Sequence, residues 1–216
     1  MFDLTIVWDY RNALLQGLWT TFWISLVAIG CGFIIGAITY LARSSTNRLL
    51  RAISTFYVSA FRGTPLLIQL SIIFFFLPLA GIIVPPITAA ILALAFNSGA
   101  IQSEILRGGF STLPKGQREA AWVNGFSKAQ SFIHIELPQV IKVTLPALVS
   151  EIIDIIKNSS LISTIAVTEL MRVAQQYSST TYRPLEFFIA AGILYLLLTM
   201  SVSELGRYLE KRLRHE

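Results

Sequence analysis

Three ionisable side chains, Glu151, Asp154 and Lys157, stand in an apolar run and are followed by Asn158 and Ser159. A charge at bilayer depth costs about 3 kcal/mol or more unless it is paired or hydrated, so such residues point to function. On a helix turning about 100° per residue, Glu151, Asp154, Lys157 and Asn158 share a sector of about 120°. Val149, Ile152, Ile153 and Ile156 fill much of the opposite side. A helix with one charged stripe turns it toward a water-filled path or another helix. Asp154 and Lys157, three apart, can neutralise each other, which leaves Glu151 without a local partner. The stripe therefore reads either as a structural ion network or as a net-negative site for a cationic ligand. In the second reading Glu151 and Asp154 accept hydrogen bonds from a guanidinium or ammonium group. Asn158-Ser159-Ser160 marks a place where the helix could break and aim the N–H groups of its second half at a ligand carboxylate.

The rest of the composition says what must hold that stripe. Of 216 residues 54% are hydrophobic and only 13% are charged, against about 25% charged in soluble domains; the mean hydropathy is +0.65. A soluble fold could not cover so much apolar surface, and disorder needs the opposite composition. The chain must dissolve in lipid. The lone Cys31 leaves no disulfide and no CxxC pair for metal or redox work. His134 and His215 lie in polar surroundings and read as solvated. The acidic start (Asp3, Asp9) and the length of the first apolar run argue against a cleavable signal peptide.

Five spans fit the hydropathy, at about 18–41, 53–77, 86–106, 143–165 and 187–206, within a single domain covering 1–216. Gly63–Ser103 holds no charge at all and is too long for one helix; Pro78, Gly81, Pro85 and Pro86 mark its turn, with Pro86 suited to a first helical turn. Lys and Arg then sort by side. Twelve (Arg43, Arg48 and Arg51; Arg107, Lys115, Arg118, Lys128 and Lys142; Arg207, Lys211, Arg212 and Arg214) fall on one side, which is therefore cytoplasmic. Arg11, Arg172 and Arg183 fall on the other. The N-terminus is expected outside and the C-terminus inside, and topology rather than nucleic acid explains the net charge of +5. Gly32 and Gly36 form a GxxxG, which suits close helix packing or a dimer face. Arg62, ahead of Gly63-Thr64-Pro65, sits where Pro65 distorts the helix; it can pair with an acid such as Glu104, snorkel or gate a path.

The cytoplasmic segment, 107–142, carries the sharpest pattern: Glu119-Ala120-Ala121, three residues, Gly125, nine residues, Ile135-x-Leu137-Pro138. Physically this is an amphipathic helix, a stop at Gly125 and a second short helix that Pro138 ends. Trp122 and Phe126, four apart, give it an apolar stripe that suits either the membrane surface or a docking partner. Arg172, Gln175, Gln176 and Tyr177, with Glu169, read as a hydrated outer loop.

The spacing of the 107–142 pattern resembles the EAA signature of permease subunits of ABC importers, matched at every defined position. Phe61-Arg62-Gly63-Thr64-Pro65-Leu66-Leu67-Ile68-Gln69-Leu70 is similar to a stretch of the polar amino-acid permeases. Glu104 to Gly109 with Lys115-Gly116-Gln117, and Lys157-Asn158-Ser159-Ser160-Leu161, resemble further parts of the same family; the likeness runs from 12 to 210. It implies an all-α, type I importer-like bundle of five transmembrane helices with a cytoplasmic coupling helix. Glu119, Ala120, Ala121 and Gly125 would meet an ATP-binding subunit. The resemblance also implies two copies of that subunit, a second permease subunit that is another copy of this chain (a homodimer) or a similar chain, an extracytoplasmic substrate-binding protein, and a place in the lipid of a prokaryotic cytoplasmic (inner) membrane.

No GxxxxGK[ST] loop occurs, so ATP and Mg are expected on the partner and no cofactor on this chain. The chain is expected to be a transport subunit rather than an enzyme: no HExxH, GxSxG or other nucleophile–base pattern accompanies the Glu151–Asp154 pair. Family and charge together imply import of basic L-amino acids (arginine, lysine or histidine). The same architecture serving glutamine or glutamate is the alternative, and a passive carrier or channel is a third.

Overall fold

The computed structural model describes residues 5–215; Asp3 lies outside them. Every regular element there is helical: α1 (Thr5–Asp9), α2 (Arg11–Arg43), α3 (Arg48–Gly63), α4 (Leu66–Ser71), α5 (Pro86–Ser111), α6 (Lys115–Val123), α7 (Lys128–Ser131), α8 (Leu137–Asn158), α9 (Leu170–Thr181) and α10 (Pro184–His215). Three stretches are long and apolar enough to cross a membrane, Arg11–Arg43, Pro86–Ser111 and Pro184–Leu213. The pair Arg48–Gly63 and Leu66–Ala80 makes a fourth if taken as one span. α8 corresponds to the remaining span expected from hydropathy and is kept out of that set by Lys142, Glu151, Asp154 and Lys157.

α2 packs along α5, and glycine sets the distance. A Cβ on Gly32 would lie 3.0 Å from Ser98 Cβ, one on Gly36 2.9 Å from Gln102 Cβ, and one on Gly99 2.7 Å from Ile35 Cγ2. The GxxxG thus serves packing within the chain, as small residues do where lipid gives helices no hydrophobic reason to associate. Ile24, Ala28, Leu70, Ala93, Leu94, Ile155 and Ile162 form the buried core between α2, α4, α5 and α8. α8 is gripped in turn: a Cβ on Gly109 of α5 would meet Thr144 Cγ2, and one on Gly206 of α10 would meet Val149 Cγ1 at 2.5 Å.

The second expected span, 53–77, is not one helix. The chain turns through 109° between α3 and the arm that follows it. Pro65 has no N–H, so Phe61 O loses the donor four residues on. Gln69 replaces it: its Nε2 donates to Phe61 O at 2.8 Å and to Thr64 O at 3.0 Å, and Asn97 Nδ2 of α5 donates to Gln69 Oε1 at 3.0 Å. A π turn (Ile72–Phe76) and a 3-10 turn (Leu77–Ala80) complete the arm, which Gly81 ends at φ +80°.

Pro138 does not end a helix, as its sequence context suggested; it lies in the first turn of α8, where no N–H is needed. Ahead of it runs a second π turn, Phe132–Glu136, in which Leu137 N bonds to Phe132 O. Both π turns stand just before a proline (Pro78 and Pro138), where the wide i→i+5 pattern absorbs the broken ladder. Asn158-Ser159-Ser160 does not restart a helix either. The α-helix tightens into a 3-10 turn, Ser159–Ile165, and Ser159 N bonds to Ile155 O. Glu169 is a further correction: it is fully buried rather than hydrated, and its carboxylate caps α9 by accepting from Met171 N and Arg172 N.

Candidate functional site

α8 positions the charged stripe. Glu151 is 4% exposed, stands beside Ser98 of α5, and its Oε1 has no hydrogen-bond partner. Ser98 Oγ accepts from Gln102 Nε2 at 2.8 Å, which leaves its own O–H to donate to the Glu151 carboxylate. Asp154 lies one turn along on the exposed flank, where Lys157 Nζ meets its Oδ1 at 2.7 Å. The pairing anticipated between these two exists, and Glu151 is left apart from it, between α8 and α5. Asn158 is half-buried next to them. Ser159 is not: at about 80° from Glu151 on the helical wheel it turns to the core, fully buried, and its hydroxyl donates to Ile156 O. The structure thus groups Asp154, Lys157 and Asn158 on one flank, Glu151 just inside it, and Ser159 behind.

At one end of the bundle Glu104 of α5 gathers three arginines. Arg43 from the end of α2 hydrogen-bonds its Oε1, Arg107 Nη2 approaches its Oε2 at 2.7 Å, and Arg62 Nη1 from the end of α3 lies 3.5 Å from the same oxygen. Arg62 therefore joins α3 to α5 through Glu104, the acid named for it from sequence. Sequence reading missed both Arg43 and Arg107: the signal for Arg107 is its place three residues from Glu104 on one helix, whereas Arg43 reaches Glu104 only because α2 packs along α5.

At the same end α6 presents the EAA residues. Glu119 and Ala120 are exposed, Ala121 is buried, and the apolar Trp122, Val123 and Phe126 face outward. Gly125 sits at φ +80°, with Gly125 N bonded to Trp122 O and Phe126 N to Ala121 O. That pair of bonds is a Schellman ending, whose left-handed residue favours glycine. A capping box then opens α7: Ser127 Oγ accepts from Gln130 N while Gln130 Oε1 accepts from Ser127 N.

Two links hold α6 to the base of α8. Arg118 grips Glu136 with Nη2 at 2.5 Å from Oε2 and Nε at 3.2 Å from Oε1, and the ion pair keeps the guanidinium charged, raising its pKa further. Gln117 and Gln139 exchange amide hydrogen bonds at 3.1 and 3.0 Å. Nearby, Tyr40, Phe110 and Phe132 stack at centroid distances of 4.8 and 5.4 Å, joining α2, α5 and the π turn. Sequence reading missed this whole clamp, because Arg118 and Glu136 are eighteen residues apart with a turn between them.

At the other end Glu169 binds three elements. Besides capping α9 it accepts from Thr21 Oγ1 of α2 at 3.2 Å and from Tyr195 Oη of α10 at 2.7 Å. The molecule thus has a buried carboxylate between α8 and α5 with one oxygen unbonded, a network of arginines and an outward-facing helix at one end, and a locked cap at the other.

The arrangement sets an unbonded carboxylate oxygen inside the bundle and turns an apolar helix face outward at one end. The family model described as the binding-protein-dependent transport system inner membrane component matches residues 12–215. The arginine transport system permease protein ArtQ of Bacillus subtilis (strain 168) is 39% identical over 202 residues, 93% of this chain and 92% of that protein. The glutamine transport system permease protein GlnP of Escherichia coli (strain K12) is 33% identical over 215 residues, 99% and 98% of the two chains. A chain in the crystal structure of an amino acid ABC transporter with histidines superposes with a TM-score of 0.92 at 33% identity, covering 98% of this chain and 99% of that one. With a family model spanning nearly its full length, the chain belongs to the inner membrane components of binding-protein-dependent transport systems.

Proposed function

We propose that this member of the family is the membrane-spanning subunit of an ABC amino-acid importer and that it carries basic L-amino acids. The observation that carries the specificity is Glu151, a buried carboxylate in the bundle whose Oε1 has no hydrogen-bond partner. A guanidinium or ammonium group supplies the missing donors, and charge-assisted bonds of this kind are about twice as strong as neutral ones. Asp154 adds a second acceptor, for which the ligand competes with Lys157, and Asn158 offers an amide beside both. Relatedness to an arginine permease supports the same reading.

In this reading the basic end faces the cytoplasm, so the N-terminus lies outside and the C-terminus inside. A homodimer supplies both halves of the path. Two ATP-binding subunits hold Glu119, Ala120, Ala121 and Gly125 of each α6, while the binding protein delivers substrate to the opposite side. ATP binding draws the two α6 helices together and the helices rock to expose Glu151 to either side in turn. Chemistry on the substrate plays no part, and the ATP and Mg belong to the partner.

Glutamine transport is the second reading. It is favoured by the Asp154–Lys157 pair, which leaves the stripe with one net negative charge, and by a glutamine permease among the relatives. The deciding experiment measures ATP hydrolysis by the reconstituted complex against a panel of amino acids. Stimulation by arginine, with half-saturation raised about tenfold or more in Glu151→Gln through loss of a charged hydrogen bond, supports the proposal. Stimulation by glutamine and not by arginine overturns the specificity.

A further inference from the structure

α6 touches the rest of the chain sparingly, and among the described residues its side-chain hydrogen bonds to other elements end on one turn. Gln117 meets Gln139, and Arg118 meets Glu136, at the base of α8. Glu136 is buried, 6% exposed, and a third donor, Ser131 Oγ, steadies its Oε1 at 3.2 Å. Arg118 and Glu119 are neighbours on α6 but about 100° apart around it; both are exposed, and Arg118 is the one that reaches Glu136. From Glu136 the same helix line reaches Glu151 fifteen residues on, about 22 Å along the axis. Between them α8 is held against α5 at Thr144 and Gly109 and against α10 at Val149 and Gly206. An outward-facing helix, a two-toothed ionic grip, a continuous helix held on both sides of its Pro146 and a buried carboxylate near its far end make a lever.

We propose that Arg118 and Glu136 are positioning residues that convert movement of α6 into movement of α8, and so set the position of Glu151. The proposal rests on reading the chain as an ATP-driven permease. A bidentate guanidinium–carboxylate pair fixes direction as well as distance, whereas an apolar contact at this joint would let α6 slide without turning α8. In this proposal the clamp acts within the chain, between α6 and α8, rather than on the partner or the substrate. Its loss therefore separates hydrolysis from transport, which the loss of a merely structural contact does not do.

The test uses the whole complex, this chain with its ATP-binding subunit and binding protein, in liposomes. L-arginine and L-glutamine serve in turn as substrate, and ATP hydrolysis and uptake are read on the same vesicles. In Arg118→Gln and Glu136→Gln the ATP-binding subunit still copurifies and hydrolysis stays within about twofold of the parent, while uptake per ATP falls about tenfold, within the range of coupling effects. The exchanged pair Arg118→Glu with Glu136→Arg recovers about half of the lost uptake per ATP. Uptake per ATP unchanged in the single variants, or hydrolysis and uptake falling in proportion, overturns the proposal. Should Glu136→Gln yield no complex, Arg118→Lys decides: it keeps the charge and loses the second tooth, so lowered uptake per ATP supports the lever and an unchanged ratio overturns it. A parent complex in which neither amino acid stimulates hydrolysis or enters the vesicles removes the permease reading itself, and the lever with it.

Discussion

Asn97 Nδ2 donates to Gln69 Oε1 at 3.0 Å, and Gln69 Nε2 donates onward to Phe61 O, the carbonyl that Pro65 deprives of its helical partner. Two side chains thereby satisfy the carbonyls that the break between α3 and α4 leaves open. Gln69→Leu leaves Phe61 O and Thr64 O without those donors, at a cost of about 2 kcal/mol. Thermal unfolding in detergent should show a lowered midpoint in Gln69→Leu and a smaller fall in Asn97→Leu. An unchanged midpoint in Gln69→Leu means the break is held by other contacts.

The glycines of the bundle divide into two classes. Gly109→Ala and Gly206→Ala push a methyl into Thr144 and Val149 and should each destabilise by about 1–3 kcal/mol through overpacking. Gly30→Ala and Gly192→Ala meet nothing within 4 Å and serve as internal controls. Equal unfolding temperatures for the two classes would mean that α8 is not gripped where it seats against α5 and α10.

Lys157 and Asp154 are both more than half exposed, and such a pair is worth about 0.2–1 kcal/mol. Lys157→Met releases Asp154 for the substrate, so the arginine concentration giving half-maximal uptake should drop about threefold, within that range. A rise instead would take Asp154 out of the binding site.

Gly125 holds φ +80° in the turn that ends α6. Gly125→Ala should cost about 1 kcal/mol there and reduce the amount of ATP-binding subunit that copurifies. Asn tolerates the left-handed region better than Ala, so Gly125→Asn should retain more. Equal copurification by all three proteins counts against α6 as the docking element.

Glu169 ties α2, α9 and α10 together through Thr21 and Tyr195. Glu169→Ala removes the cap of α9, worth about 1 kcal/mol, and strands the Tyr195 hydroxyl. Limited proteolysis should then cut near 166–169 sooner than in the parent, with Tyr195→Phe intermediate. Unchanged cleavage would show that apolar packing alone, centred on Phe187 and Leu170, keeps this end closed.

Much of this molecule was legible before any fold was known, because lipid is an unforgiving solvent. Chain hydropathy marked the helical regions, since backbone polar groups in hydrocarbon must pair within their own helix. The spacing from Glu119 to Pro138 marked the element that faces outward. Local chemistry did equally well at Gly125 and Pro86, where one residue's backbone preference decides the conformation. The Asp154–Lys157 pair was also readable, because three residues along a helix is a contact in almost any context.

Tertiary structure alone decided the rest. Glu169 looked like a hydrated loop residue until α2 and α10 brought Thr21 and Tyr195 to it. Ser159 shares a motif with Asn158 but not a face, and only the continuation of α8 into a 3-10 turn assigns it to the core. The meeting of Arg43 and Arg62 on Glu104 and the Arg118–Glu136 grip join residues well separated along the chain. The physical reason is common to them: a sequence states what each residue prefers of its immediate neighbours, whereas a buried charge or a freed carbonyl is satisfied by whichever helix happens to pack beside it.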